Sequence, residues 1–182
     1  MSVQTRLTPS SSQTVGPYFR IGLHSLVEEV LAPDAASGET ITIRGRVLDC
    51  DGVPVPDAML EFWSADRAAD ADPNGYPQGF RRAPTGIDGD FSVSMCRPAS
   101  IDMGDGRKQA PHMLVLVFAR GLLRNLVSRV YFGDDPANAS DPVLLSVPAA
   151  RRRTLIACRD ARNSYRWDVV LQGAEETVFF AW

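Results

Sequence analysis

Two histidines, His24 and His112, and three cysteines, Cys50, Cys96 and Cys158, are all the imidazole and thiol this chain has. So little histidine excludes a multi-histidine metal centre built by this chain alone. His112 opens the apolar run His112-Met113-Leu114-Val115-Leu116-Val117-Phe118. In a strand the residue two places on shares its face, and that residue is Leu114. A metal site on this strand would need a second donor there and meets an alkyl group, so a hydrogen-bonded structural histidine is the plainer reading. The cysteines are odd in number and widely spaced, which predicts reduced, structural thiols and no disulfide framework or zinc knuckle.

Arg120 directly follows that apolar strand, in Phe118-Ala119-Arg120-Gly121. A guanidinium at the rim of a core strand suits a carboxylate through a forked pair of hydrogen bonds, and it equally suits a solvated strand end. Asp70, Asp72, Asn74 and Gly75 imitate the opening of a calcium loop, but its twelfth position is Arg81, a cation where a bidentate Glu belongs, which predicts an acidic surface loop. Arg151, Arg152 and Arg153 lack interleaved aromatics and read as a solvated edge. No phosphate-binding glycine loop, nucleophile elbow or close Cys/His pair is present.

Positioning these residues takes a core, and 182 residues, 45% hydrophobic and 23% charged, suffice for one domain over 1–182. A net charge of −3 supplies no cationic field for nucleic acid. No apolar run reaches the roughly 18 residues that cross a bilayer, and MSVQTRLTPSSSQ lacks a secretory pattern, so the expectation is a soluble, cytoplasmic protein without membrane contact. Residues 1–38 read as an N-terminal arm turning at Gly16-Pro17 into Tyr18-Phe19, then a short helical segment from Leu23 with Leu26, Val27, Val30 and Leu31 on one face.

Residues 39–182 read as strands. Ile41, Ile43 and Val47 alternate with Thr42, Arg44 and Arg46; Ala58, Leu60 and Phe62 with Met59, Glu61 and Trp63; and Phe91, Val93 and Met95 with Asp90, Ser92 and Ser94. Residues 113–118, 126–132, 154–158 and 165–171 add more, and Asp141-Pro142 can open one helical turn. Many short strands between Gly, Pro, Asp and Asn turns predict an all-β fold, an antiparallel two-sheet sandwich with little helix. The apolar end, TVFFAW (177–182), must dock on its own core or on a neighbour.

The segments QTVGPYFRIGL (13–23), IRGRVLDCDGVPVPDAMLEFWSAD (43–66), APHMLVLVFARG (110–121), SRVYFGDDPAN (128–138), RRRTLIACR (151–159) and ETVFFAW (176–182) together resemble the intradiol ring-cleavage dioxygenases, in order along nearly the whole chain. The resemblance implies a prealbumin-like sandwich. In that family Fe(III) is held by two tyrosinates and by two histidines spaced His-x-His; the matching strand here reads His112-Met113-Leu114, residues 98–111 hold no Tyr, and only Tyr76 stands where another phenolate would be expected. The likeness is therefore nearest to the subunits of heteromeric members that keep the fold and lack the metal. It implies no metal ligand and no catalytic residue in this chain, with Fe(III) held by a partner beta subunit. It also implies a substrate-pocket wall made here by Thr14, Gly16, Pro17, Tyr18 and Arg120, the substrate being a dihydroxybenzoate such as protocatechuate, opened with O2 to 3-carboxy-cis,cis-muconate. Two competing expectations are a metal-free prealbumin-like binding or structural module, since GRVLDCDGVPVPDA and GIDGDFSV occur in many sandwich domains, and a self-sufficient dioxygenase using Tyr76, His112 and ligands outside the family pattern.

Overall fold

The computed structural model describes residues 10–29, 39–64 and 79–181. Tyr76, the Asp70–Gly75 run, Val30, Leu31 and Trp182 lie outside them. One helix, α1 (Pro17–Glu29), precedes β1 (Thr40–Leu48), β2 (Met59–Trp63), β3 (Phe80–Pro84), β4 (Asp90–Cys96), the small hairpin β5 (Ile101–Asp102) and β6 (Lys108–Gln109), β7 (His112–Phe118) and β8 (Leu126–Phe132). A 3-10 turn over Pro136–Ser140, the short helix α2 (Pro142–Ser146) and a second 3-10 turn over Ala149–Leu155 lead to β9 (Ile156–Ala161), β10 (Ser164–Arg166) and β11 (Val169–Val170).

The β character and the scarcity of helix agree with the sequence, but the antiparallel two-sheet sandwich does not form. Nine strands make one mixed sheet, running β4-β1-β10-β9-β8-β7-β2-β3, with β11 continuing beside β1 beyond β10. β3 packs against β4, so the sheet is nearly closed and barrel-like. Three pairings, β8 with β9 and β1 with both β10 and β11, are parallel for reasons that strand patterns do not carry. β8 and β9 are joined by a long crossover through α2 and the 3-10 turns, the kind of connection a parallel pair requires, and β10 and β11 return to β1 from the far end of the chain.

Alternation follows the residues in β1 and β4, whereas β2 is buried on both faces from Met59 to Phe62. Ile41, Ile43 and Val47, Leu60 and Phe62, Phe91, Val93 and Met95, and Met113, Val115 and Val117 form one buried core inside the curved sheet. Ala110, Tyr131, Leu144, Val147 and Leu155 form a second cluster, with Val178 and Phe180 packed against it. The C-terminal segment thus docks on its own chain: Phe180 N–H donates to Val127 O at 2.8 Å and the Ser128 hydroxyl to Val178 O at 2.8 Å.

Four local expectations change. The helix begins at Pro17 and not near Leu23, because a proline at the first helical position has its φ preset and no N–H to leave unpaired; Phe19 N–H already donates to Gly16 O at 3.0 Å. The arm is accordingly shorter, and Pro17 and Tyr18 belong to the first helical turn. A 3-10 turn over Ala149–Leu155 takes the first two residues of the strand expected over 154–158, which begins only at Ile156; in that turn Arg152 donates to Val147 O (2.8 Å) and Leu145 O (2.9 Å) while Arg153 forks onto Glu175 at 2.5 and 2.9 Å. Arg151 and Arg152 are thus tied to backbone carbonyls, while Arg153 pairs with Glu175 on a solvated edge as its sequence context predicts. Finally, Cys50 and Cys158 are exposed and Cys96 is partly covered, so the thiols form no disulfide and do not serve the core.

Candidate functional site

The turn before β2 is held by Thr85, whose buried hydroxyl donates to Val55 O and accepts from Ala58 N–H, both at 2.9 Å. Thr85 N–H also donates to Ala58 O at 2.9 Å. This bracing keeps Asp57 at φ 62°, a left-handed conformation that few residues other than glycine, asparagine and aspartate adopt readily. From there the Asp57 carboxylate meets two arginines. Oδ1 accepts from Arg20 Nη1 of α1 at 3.0 Å, and Oδ2 lies 3.5 Å from Arg120 Nη2 just past the end of β7.

Two further contacts fasten the N-terminal arm to the same strand end. Gly121, whose φ of +88° turns the chain away from β7, donates its N–H to Thr14 Oγ1 at 2.7 Å. The Phe19 ring packs on Phe118 with centroids 5.2 Å apart. Beside this clip runs a groove of about 610 Å³ between Gln13 and Val15 of the arm, Phe118, Leu122, Leu126 and the C-terminal Phe180.

The structure therefore brings Thr14 to the backbone beside Arg120. The Arg120 side chain stays 56% exposed despite its pairing, so part of its guanidinium is open to an anion. Gly16 has no atom within 4 Å of where a Cβ would sit. Pro17 starts α1, and the Tyr18 ring on the same turn is 81% exposed. Asp57 and Arg20 were not singled out from sequence. Helical spacing from Pro17 places Phe19, Arg20 and Leu23 on one side of α1, a usable signal for Arg20. The position of Asp57 depends on strands distant in sequence.

On the outer face of β7, His112 and Leu114 do share a side, while Met113 between them is in the core. His112 Nδ1 is 2.8 Å from Ala110 O, and its ring stacks on Tyr131 at 5.3 Å. The Tyr131 hydroxyl donates to Asp141 Oδ1 at 3.1 Å. Burial pushes this phenol well above its ordinary 10.0, against the lowering effect of Arg129 and with the Asp141 charge raising it further. Leu114 lies opposite Trp63 and Arg129 in the ladders. Among the described residues these donors do not fit a ferric ion.

A family model described as Dioxygenase matches residues 15–173. Together with the mixed β fold, this places the chain in the intradiol dioxygenase family, a group of iron-dependent oxidoreductases. Its relatives include the protocatechuate 3,4-dioxygenase alpha chain of Burkholderia cepacia, 43% identical over 97% of this chain and 98% of that one. The beta chain of the same enzyme from Burkholderia cepacia is 28% identical over 85% of this chain and 73% of its own. Among solved structures, the dioxygenase domain of a dioxygenase carbohydrate-binding protein fusion from Streptomyces sp. SirexAA-E is 27% identical with a TM-score of 0.58, covering 79% of this chain and 86% of that one.

Proposed function

We propose that this chain is the alpha subunit of a protocatechuate 3,4-dioxygenase: a single domain that walls the substrate pocket at an interface with a beta subunit carrying Fe(III). The observation that carries this reading is a contrast within one strand. β7 has leucine where a second imidazole donor would be needed, yet at its far end Thr14 is bonded to Gly121 beside a half-open Arg120. The names of the relatives, an alpha and a beta chain, support a hetero-oligomer. No helix among the described residues is long and apolar enough to cross a membrane, consistent with a cytoplasmic catabolic enzyme.

In this reading this chain orients the ring and excludes water, and the chemistry of the iron would be supplied by the partner. Arg120 meets the benzoate carboxylate as a charged hydrogen bond, a contact worth about 1.5–3 kcal/mol where water is excluded. Thr14, Gly16, Pro17 and Tyr18 present a short preformed edge, stiffened by proline at the helix start, along one side of the pocket.

Coexpression with an iron-bearing beta partner, followed by oxygen uptake with protocatechuate, tests this. Arg120→Gln is expected to raise KM about tenfold to a hundredfold, with the smaller share of the effect on kcat. Unchanged activity after combining Arg120→Ala with deletion through Tyr18 would overturn the pocket-wall role. A chain that purifies as a stable monomer and ignores the partner would overturn the heteromer.

A further inference from the structure

We infer that Asp57 is a positioning residue for carboxylate recognition: it bridges Arg20 and Arg120, aims the Arg120 guanidinium and sets the net charge of the wall. The inference rests on the reading of Arg120 given above and extends it to a residue and a contact outside the wall segments.

An arginine side chain loses much rotamer freedom when it is held for a ligand, and Arg120, at a strand end and 56% exposed, has little packing to hold it. Asp57 supplies that restraint from a rigid base. The backbone on either side of it, at Val55 and Ala58, is braced by three hydrogen bonds of the buried Thr85, and its other carboxylate oxygen is tied to Arg20 at 3.0 Å. The 3.5 Å approach to Arg120 engages Nη2, leaving other guanidinium N–H groups for a substrate carboxylate.

Charge points the same way. Arg20 and Arg120 both approach one carboxylate, so the trio carries one net positive charge, matched to a monoanionic benzoate. Without Asp57 the two guanidinium groups would repel and Arg120 would swing toward water. Arg20 belongs to α1 and Arg120 follows β7, so the same carboxylate also ties the arm's helix to the strand end already clipped by Thr14 and Phe19.

The test uses the coexpressed alpha-beta holoenzyme, with 4-hydroxybenzoate and phenol as competitive inhibitors that differ in the carboxylate. Asp57→Asn keeps the size and the tolerance for a left-handed backbone while removing the charge. It is expected to raise KM for protocatechuate and Ki for 4-hydroxybenzoate about threefold to tenfold and to leave Ki for phenol within about twofold. In an Arg120→Gln background the same substitution is expected to change neither value, because Asp57 acts through Arg120. If Arg120→Gln weakens 4-hydroxybenzoate but Asp57→Asn does not, or strengthens it, the positioning role is wrong and the Arg120 reading stands. If Arg120→Gln leaves the discrimination intact, the Arg120 reading fails and the inference falls with it. Should Asp57→Asn not assemble, Arg20→Gln removes the other end of the bridge; a smaller shift in the same direction is expected, and no shift overturns the proposal.

Discussion

Asp141 shows how much one residue can do in this protein. Its side chain is completely buried; Oδ1 accepts from Leu144 N–H at 2.7 Å and from the Tyr131 hydroxyl at 3.1 Å, and Oδ2 accepts from Ala110 N–H at 2.8 Å. It therefore caps α2 and joins that helix to the start of β7 and to β8. Asp141→Ala leaves those donors facing a low-dielectric interior and is expected to cost about 2–4 kcal/mol in urea unfolding; a loss below about 1 kcal/mol would refute the account. Tyr131 adds a pH dependence of known sign. Its phenol is held above 10.0, so its contribution is intact below that value and is lost as rising pH ionises the unfolded chain but not the folded one. Tyr131→Phe should accordingly lose less stability than the parent between neutrality and pH values above 10, measured by thermal melting.

At the scale of elements, β1 is the strand on which the sheet turns. Residues Thr42 to Arg44 pair with β10, Val47 and Leu48 pair with β11, and the chain passes between the two partners at Gly45. Trp167 N–H donates to Arg44 O at 2.9 Å, and the Trp167 carbonyl oxygen would lie 1.7 Å from a Cβ at Gly45. No side-chain rotation relieves a clash with backbone. Gly45→Ala is expected to cost about 3 kcal/mol or more, or to prevent soluble expression, whereas Gly52→Ala, in an open turn, should cost less despite its φ of 75°. Equal melting temperatures for the Gly45→Ala variant and the parent would show that β10 and β11 do not grip β1 in this way.

Across the whole molecule, one polar cluster fastens parts that lie far apart in sequence. Arg97, just beyond β4, lies 3.4 Å from Asp134 and 3.3 Å from Asp135 in the loop after β8, donates to the Tyr165 hydroxyl of β10, and covers the Phe132 ring at 4.7 Å. Arg159 of β9 reaches Asp134 at 3.4 Å. Burial alone would raise the Asp134 carboxyl, but the Arg97 charge and the hydrogen bond from Tyr165 outweigh it and hold the group below its ordinary 3.8. The cluster's stabilisation is thus present above that value and disappears as pH falls through the lowered one. The stability gap between the parent and Asp134→Asn, read from urea titrations, should be steady from neutrality to about pH 5 and close below pH 4. A gap independent of pH would rule out a charged Asp134 as its source.

The residues alone determined which side chains face inward, since strand alternation needs only neighbours two places apart: Ile41, Ile43 and Val47, and Phe91, Val93 and Met95, are buried as their spacing requires. They also determined the capped turn at Asp141-Pro142, the absence of a second donor at Leu114, and membership in a family through ordered segments such as QTVGPYFRIGL and APHMLVLVFARG. Strand partners were not legible, because alternation is the same for parallel and antiparallel neighbours and for a sandwich or a nearly closed sheet. The crossover from β8 to β9 and the return of β10 to β1 decided that. Arg120 and Thr14 could be named from sequence, but their meeting at Gly121 and the bridge through Asp57 could not. Those contacts join residues up to 107 positions apart, and only the folded sheet brings them within hydrogen-bonding range.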